Sequence, residues 1–183
     1  MTKKIEFFFL FCLIALPVTL ISGPAIPDIT VTLSGLFFLF YAYNKKIYVN
    51  IIKDRLVVIS IFFWIYLLFI SAFAENKYLS FVDSLVFIRL LLIPVFLIYW
   101  ASVDYNFTSR ILTVIFIAVI FVVCDTLFQF INYNSEFGFG NDLFGFKSDW
   151  YGRLTGPFGD ELIPGAYIAK FSFLGLIYLF LKF

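Results

Sequence analysis

Long uninterrupted apolar blocks recur along this chain, and they decide what it can fold into. A helix needs roughly 20 apolar residues to cross the hydrocarbon core of a bilayer. Blocks of that kind cover residues 7–22, 29–43, 56–74, 84–101, 110–131 and 165–183. Hydrocarbon offers no partner to a backbone N–H or C=O, so a spanning chain must be helical or a closed barrel. Barrel strands alternate apolar and polar side chains, and these blocks do not alternate. The expected fold class is all-α: a polytopic membrane helix bundle with about six transmembrane helices. It is read as a single transmembrane domain over residues 1–183. Only 14% of the residues are charged, where soluble domains carry about a quarter.

Several function classes fall away. The net charge is +1 and no basic tract exists, so no nucleic-acid partner is expected. Cys12 and Cys124 lie inside apolar blocks and read as small core residues. The absence of histidine removes the commonest general base and zinc ligand. No metal or cofactor is expected. No phosphate-binding glycine loop is present, so the chain does not hydrolyse ATP itself. Lys3 and Lys4 ahead of the first block resemble a signal peptide, with Ser22 and Gly23 at a potential cleavage point. Further spans follow, however, and Pro24 and Pro27 make a sharp interfacial turn, which favours an uncleaved first span.

If the spans alternate, Lys3, Lys4, Lys45, Lys46, Lys53, Arg55, Arg110 and Lys182 share one side, against Lys77, Lys147 and Arg153 on the other. The positive-inside rule then puts the N-terminus in the cytoplasm and the loop 132–164 outside. That loop carries Glu136, Asp142, Asp149, Asp160 and Glu161 against Lys147 and Arg153. Its aromatics (Phe137, Phe139, Phe144, Phe146, Trp150 and Tyr151) suit a segment lying on the bilayer surface.

Ionisable groups within spans are costly and tend to be functional. Arg89, Asp125 and Lys170 each fall some five or six residues inside a span, counted from the outer end. At about 1.5 Å rise per residue they sit at similar depth. Arg89 and Asp125 are at a height to pair, with Gln129 one turn from Asp125 on the same face. One reading is a structural ion pair, with Lys170 snorkelling to the interface. The other is a set of substrate-binding groups for a lipid-linked phosphate, which arginine grips with its planar fork.

Trp150-Tyr-Gly-Arg-Leu-Thr-Gly-Pro-Phe-Gly-Asp-Glu161 gathers glycine, proline and charge just before the last span. Much of it is helix-start chemistry: Gly156-Pro157 and Gly159 turn the chain, Asp160 and Glu161 precede the helix, and Pro164 suits its first turn. Arg153, Gly156 and Phe158, followed by Gly165 and Tyr167, resemble the Arg-x-x-Gly-x-Phe motif of the O-antigen ligase/O-antigen polymerase family of bacterial inner-membrane proteins. Ser22-Gly-Pro-Ala-Ile-Pro-Asp28 is similar to the outer turn of some members. The resemblance implies a glycosyltransferase that needs no nucleotide sugar. Its donor is a glycan on undecaprenyl pyrophosphate, and its acceptor is lipid A–core or another repeat unit. Carried over, Arg153 neutralises the departing pyrophosphate. Asp160 or Glu161 orients it or deprotonates the acceptor hydroxyl. The expected partners are thus the lipid-linked glycan, its acceptor and membrane lipid.

Family members are about twice as long and carry further catalytic residues, often histidine, in their second half. The chain is therefore expected to be the N-terminal part of a longer protein, and inactive alone. The rival reading is a transporter or flippase for a lipid-linked or anionic solute, with Arg89 and Asp125 along its path. Ligase and polymerase are not separated by this sequence.

Overall fold

The computed structural model describes residues 2–134, 138, 140–148, 150 and 152–182, with residues 2–5 and 50 described by their backbone. Glu136, Asp149, Phe137, Phe139 and Tyr151, counted above in the polar loop, lie outside the described residues. Helices α1 (Thr2–Thr19), α2 (Ala25–Asn44), α3 (Tyr48–Ile52), α4 (Arg55–Ser71), α5 (Lys77–Val86), α6 (Ile88–Val103), α7 (Phe107–Ile131) and α8 (Pro164–Lys182) follow one another, with a 3-10 turn at Gly156–Phe158. The described residues contain no strand beyond isolated bridges at Asn134–Gly138 and Asn141–Lys147. This is an all-α bundle of apolar helices, and among the described residues four helical stretches are long and apolar enough to cross a membrane: Ala25–Asn44, Lys77–Val103, Phe107–Ile131 and Pro164–Lys182. Phe62, Phe69, Phe73 and Phe180 are among many large apolar side chains left on the outside. Water would not tolerate so much contiguous apolar surface, and lipid does. The chain is a membrane protein.

Hydropathy placed the fourth span at residues 84–101, and the structure corrects this. Helix begins at Lys77 and breaks at Phe87. At the break, the Ser84 carbonyl accepts the Trp64 indole N–H at 2.9 Å, and the Leu90 N–H reaches the Phe87 carbonyl, a tighter i,i+3 bond. Arg89 therefore stands at the start of α6 rather than within one straight span. Cys12 is buried as expected, but Cys124 is exposed on α7.

Two compact units are present. The first takes Met1–Leu13 and Ile29–Asp104. Its core is aromatic: Phe38 and Phe96 approach to 4.4 Å between ring centroids, and Phe9 lies 5.6 Å from Trp100. The second takes Ile14–Asp28 and Tyr105–Phe183. Here α7 packs on α8 around Ile115, Ala118, Val119, Val122, Phe158 and Tyr167.

The last carbonyls of α1 have no intrahelical partners. Thr19 Oγ1 donates to the Leu16 carbonyl at 2.9 Å, and the Tyr167 hydroxyl donates to the Pro17 carbonyl at 2.8 Å. Tyr167→Phe keeps the ring packing and loses that bond. It should lower stability by about 1 kcal/mol, read as a small fall in the thermal midpoint in detergent. An unchanged midpoint would mean the bond contributes nothing.

Candidate functional site

The site is built around one helix face. Asp125 and Gln129 stand one turn apart near the end of α7, and both are fully buried. No membrane lipid reaches them, because the loop that follows folds back over them. Gln129 Oε1 accepts from the backbone N–H groups of Thr155 (3.0 Å) and Gly156 (2.9 Å), and its Nε2 donates to Thr155 Oγ1 (3.3 Å). Asp125 Oδ1 accepts from the Leu143 N–H at 2.8 Å. Two side chains of a single helix thus hold the loop at two points.

Just before the first of those points Asp142 shapes the chain. Its Oδ1 accepts from the N–H groups of Phe144 (3.0 Å) and Phe146 (2.7 Å), and its own N–H donates to the Phe146 carbonyl (2.9 Å). This is the side-chain mimicry of a turn that aspartate favours. Phe144 meets Phe121 of α7 edge-on at 5.9 Å.

Gly156 explains the close fit. Its φ is +51°, and a Cβ there would stand 2.7 Å from Thr126 Oγ1 and 3.8 Å from Asp125 Oδ2. Only glycine fits so near α7 in that backbone conformation. Phe158 and Tyr167 are buried against each other, ring centroids 5.6 Å apart. Three members of the sequence motif, Gly156, Phe158 and Tyr167, are therefore internal. Arg153 is exposed, and among the described residues its guanidinium has no partner. Its backbone N–H donates to the Trp150 carbonyl at 3.1 Å, while the Trp150 indole N–H donates to the Asp160 carbonyl at 3.2 Å. Arg153 and Asp160 accordingly belong to one closed loop.

Glu161 and Lys170 line a cavity of about 460 Å³ together with Gly23, Pro24, Pro27 and Asp28. The two short stretches singled out in the sequence, 22–28 and 153–167, meet at this cavity through Tyr167 and Glu161 on one side and the proline turn on the other. Arg153 and Asp160 are not in its lining.

Arg89 and Asp125, placed at similar depth by the sequence, each have an uncharged neighbour within their own unit. Arg89 Nη1 donates to Thr32 Oγ1 at 3.3 Å inside the first unit, and Asp125 takes the Leu143 N–H inside the second. Asp125 is covered by the loop it holds and acts on any ligand only through that loop. Gln129, Asp142 and Thr155 were not singled out as site residues from sequence. The one local signal was an amide one turn from an acid at the end of an apolar helix, a pair that hydrocarbon would penalise unless something covered it.

No family model, no curated protein and no solved structure matches this chain.

Proposed function

We propose that this chain belongs to a membrane glycosyltransferase of the O-antigen ligase/polymerase type, seated in the bacterial inner membrane with its N-terminus in the cytoplasm. The donor is a glycan on undecaprenyl pyrophosphate, and the acceptor is lipid A–core or a further repeat unit. The acceptor hydroxyl attacks the anomeric carbon, the bond to the pyrophosphate oxygen breaks, and the hydroxyl proton passes to Asp160 or Glu161. Arg153 meets the charge that builds on the leaving pyrophosphate. Lys170, which lines the cavity with Glu161, supplies further positive charge for the lipid-linked donor.

The observation that carries this reading is the division of labour within the motif. Gly156, Phe158 and Tyr167 are consumed in packing, and Arg153 is left exposed on a turn fixed to α7, its guanidinium without a partner among the described residues. A free arginine on a rigid support is preorganised for a phosphate oxygen. The meeting of Lys170 and Glu161 with the 23–28 turn in one cavity adds a place for a polar headgroup.

The test is surface-glycan profiling of a strain lacking the gene, complemented with parent or variant. Arg153→Ala should cut glycan transfer about a hundred-fold or more, with membrane insertion unchanged. Normal glycan from that variant removes Arg153 from the mechanism. Unaltered glycan in the deletion strain, with a defect in movement of a lipid-linked intermediate, would favour the transporter reading instead.

A further inference from the structure

The first unit carries a second feature that glycan transfer does not use. Helices α2, α4 and α6 leave an apolar cavity of about 220 Å³, lined by Phe38, Ala42, Trp64 and Leu92 among others and by Tyr48 and Ile51 of the short helix α3. An apolar void stays dry and takes up hydrocarbon. The Trp64 indole N–H, the conspicuous polar atom there, is already spent on the Ser84 carbonyl.

Four cations flank α3 along the chain: Lys45, Lys46, Lys53 and Arg55. The backbone puts them there by a tight helix stop. The Ile47 N–H donates to the Ala42 carbonyl (3.1 Å) and the Lys46 N–H to the Tyr43 carbonyl (3.1 Å), with Lys46 at φ +55°. That is a Schellman cap, and it normally takes glycine at the left-handed position. Here it has lysine, at a backbone cost. The acids nearby are committed. Glu6 lies 3.9 Å from Lys45, and Asp54 Oδ1 caps α4 by accepting from the Leu56 N–H at 2.8 Å. Among the described residues Lys46, Lys53 and Arg55 make no ion pair, and all three are exposed.

From this juxtaposition we infer that the first unit holds one anionic glycerophospholipid of the surrounding membrane. One acyl chain enters the cavity between α2, α4 and α6, and the phosphate sits among Lys46, Lys53 and Arg55. The chemistry sets the occupant: an apolar slot accepts only hydrocarbon, and three exposed cations flanking α3 select a negative headgroup. A zwitterionic lipid would fit the slot and gain little from the charges.

Trp64 lines the slot and reports its occupant. Trp100→Phe and Trp150→Phe leave Trp64 as the single tryptophan of the whole chain. The protein is placed in phosphatidylcholine vesicles, and Trp64 quenching is titrated with phosphatidylglycerol or phosphatidylcholine carrying brominated acyl chains. Brominated phosphatidylglycerol should quench at a mole fraction lower by at least about ten-fold, and by up to about a hundred-fold if each of the three cations contributes its full share of about five-fold. Lys46→Gln, Lys53→Gln and Arg55→Gln together should bring the two curves together. All three are exposed, so the variant keeps its fold. Arg110→Gln with Lys147→Gln, cations of the other unit, should leave the preference unchanged. Identical curves in the protein with native charges, a preference that survives the triple variant, or one that is lost with Arg110 and Lys147 would each overturn the site.

Discussion

Gln129→Leu should destabilise the folded protein by about 4 kcal/mol. Leucine matches the volume of glutamine, so packing against α7's neighbours is kept and the loss isolates the polar contacts. One fully buried side chain serves two backbone N–H groups and one hydroxyl, those of Thr155, Gly156 and Thr155 Oγ1. After substitution both N–H groups remain under the loop with no acceptor. Each orphaned donor costs about 1–3 kcal/mol. The thermal midpoint in detergent should fall sharply, and limited proteolysis between Asn141 and Gly159 should quicken. A variant within about 0.5 kcal/mol of the parent would mean that the turn finds other partners and that Gln129 is not its anchor.

Gly156→Ala should cost about 3 kcal/mol. Two penalties combine. A non-glycine residue at φ +51° is strained. Its methyl would also press on Thr126 Oγ1 at 2.7 Å, and that oxygen is held in place by its own bond to the Val122 carbonyl at 2.6 Å. The contributions separate in a double-mutant cycle. Thr126→Ala on the Gly156→Ala background removes the steric part and should return about half of the loss. Equal stability of Gly156→Ala and parent would place the loop elsewhere than against α7. Loss of glycan transfer without loss of stability would point to a role for Gly156 beyond packing.

Much of the fold was legible because lipid imposes one requirement on every residue of a span. Residues 110–131 became Phe107–Ile131, and 165–183 became Pro164–Lys182, with Pro164 at the first helical position. The failures have local causes. Helix α3 is five residues between cations and too short to register as an apolar block. The break at Phe87 depends on Trp64, twenty residues away in sequence, reaching the Ser84 carbonyl. Site residues divide in the same manner. The charges of Arg153, Glu161 and Lys170 are visible as letters, whereas the bonds from Gln129 to Thr155 and Gly156 span 26 and 27 residues and leave no local pattern. Depth was readable for Asp125, but the loop that covers it, reached through Leu143 18 residues on, left no local pattern.

The two fastenings of the loop bear on the order in which the chain takes shape. Asp125 and Gln129 precede everything they bind: Leu143 comes 18 residues later than Asp125, and Thr155 comes 26 later than Gln129. During synthesis α7 is therefore already in the bilayer, carrying two unsatisfied polar groups, when the loop emerges. The loop answers them by local search, without waiting for a distant part of the sequence. Phe158 and the proline that starts α8 are by then aligned along α7, so the last helix enters the membrane beside a prepared neighbour. The segment from Phe107 to Lys182 is built to assemble in the direction in which it is made.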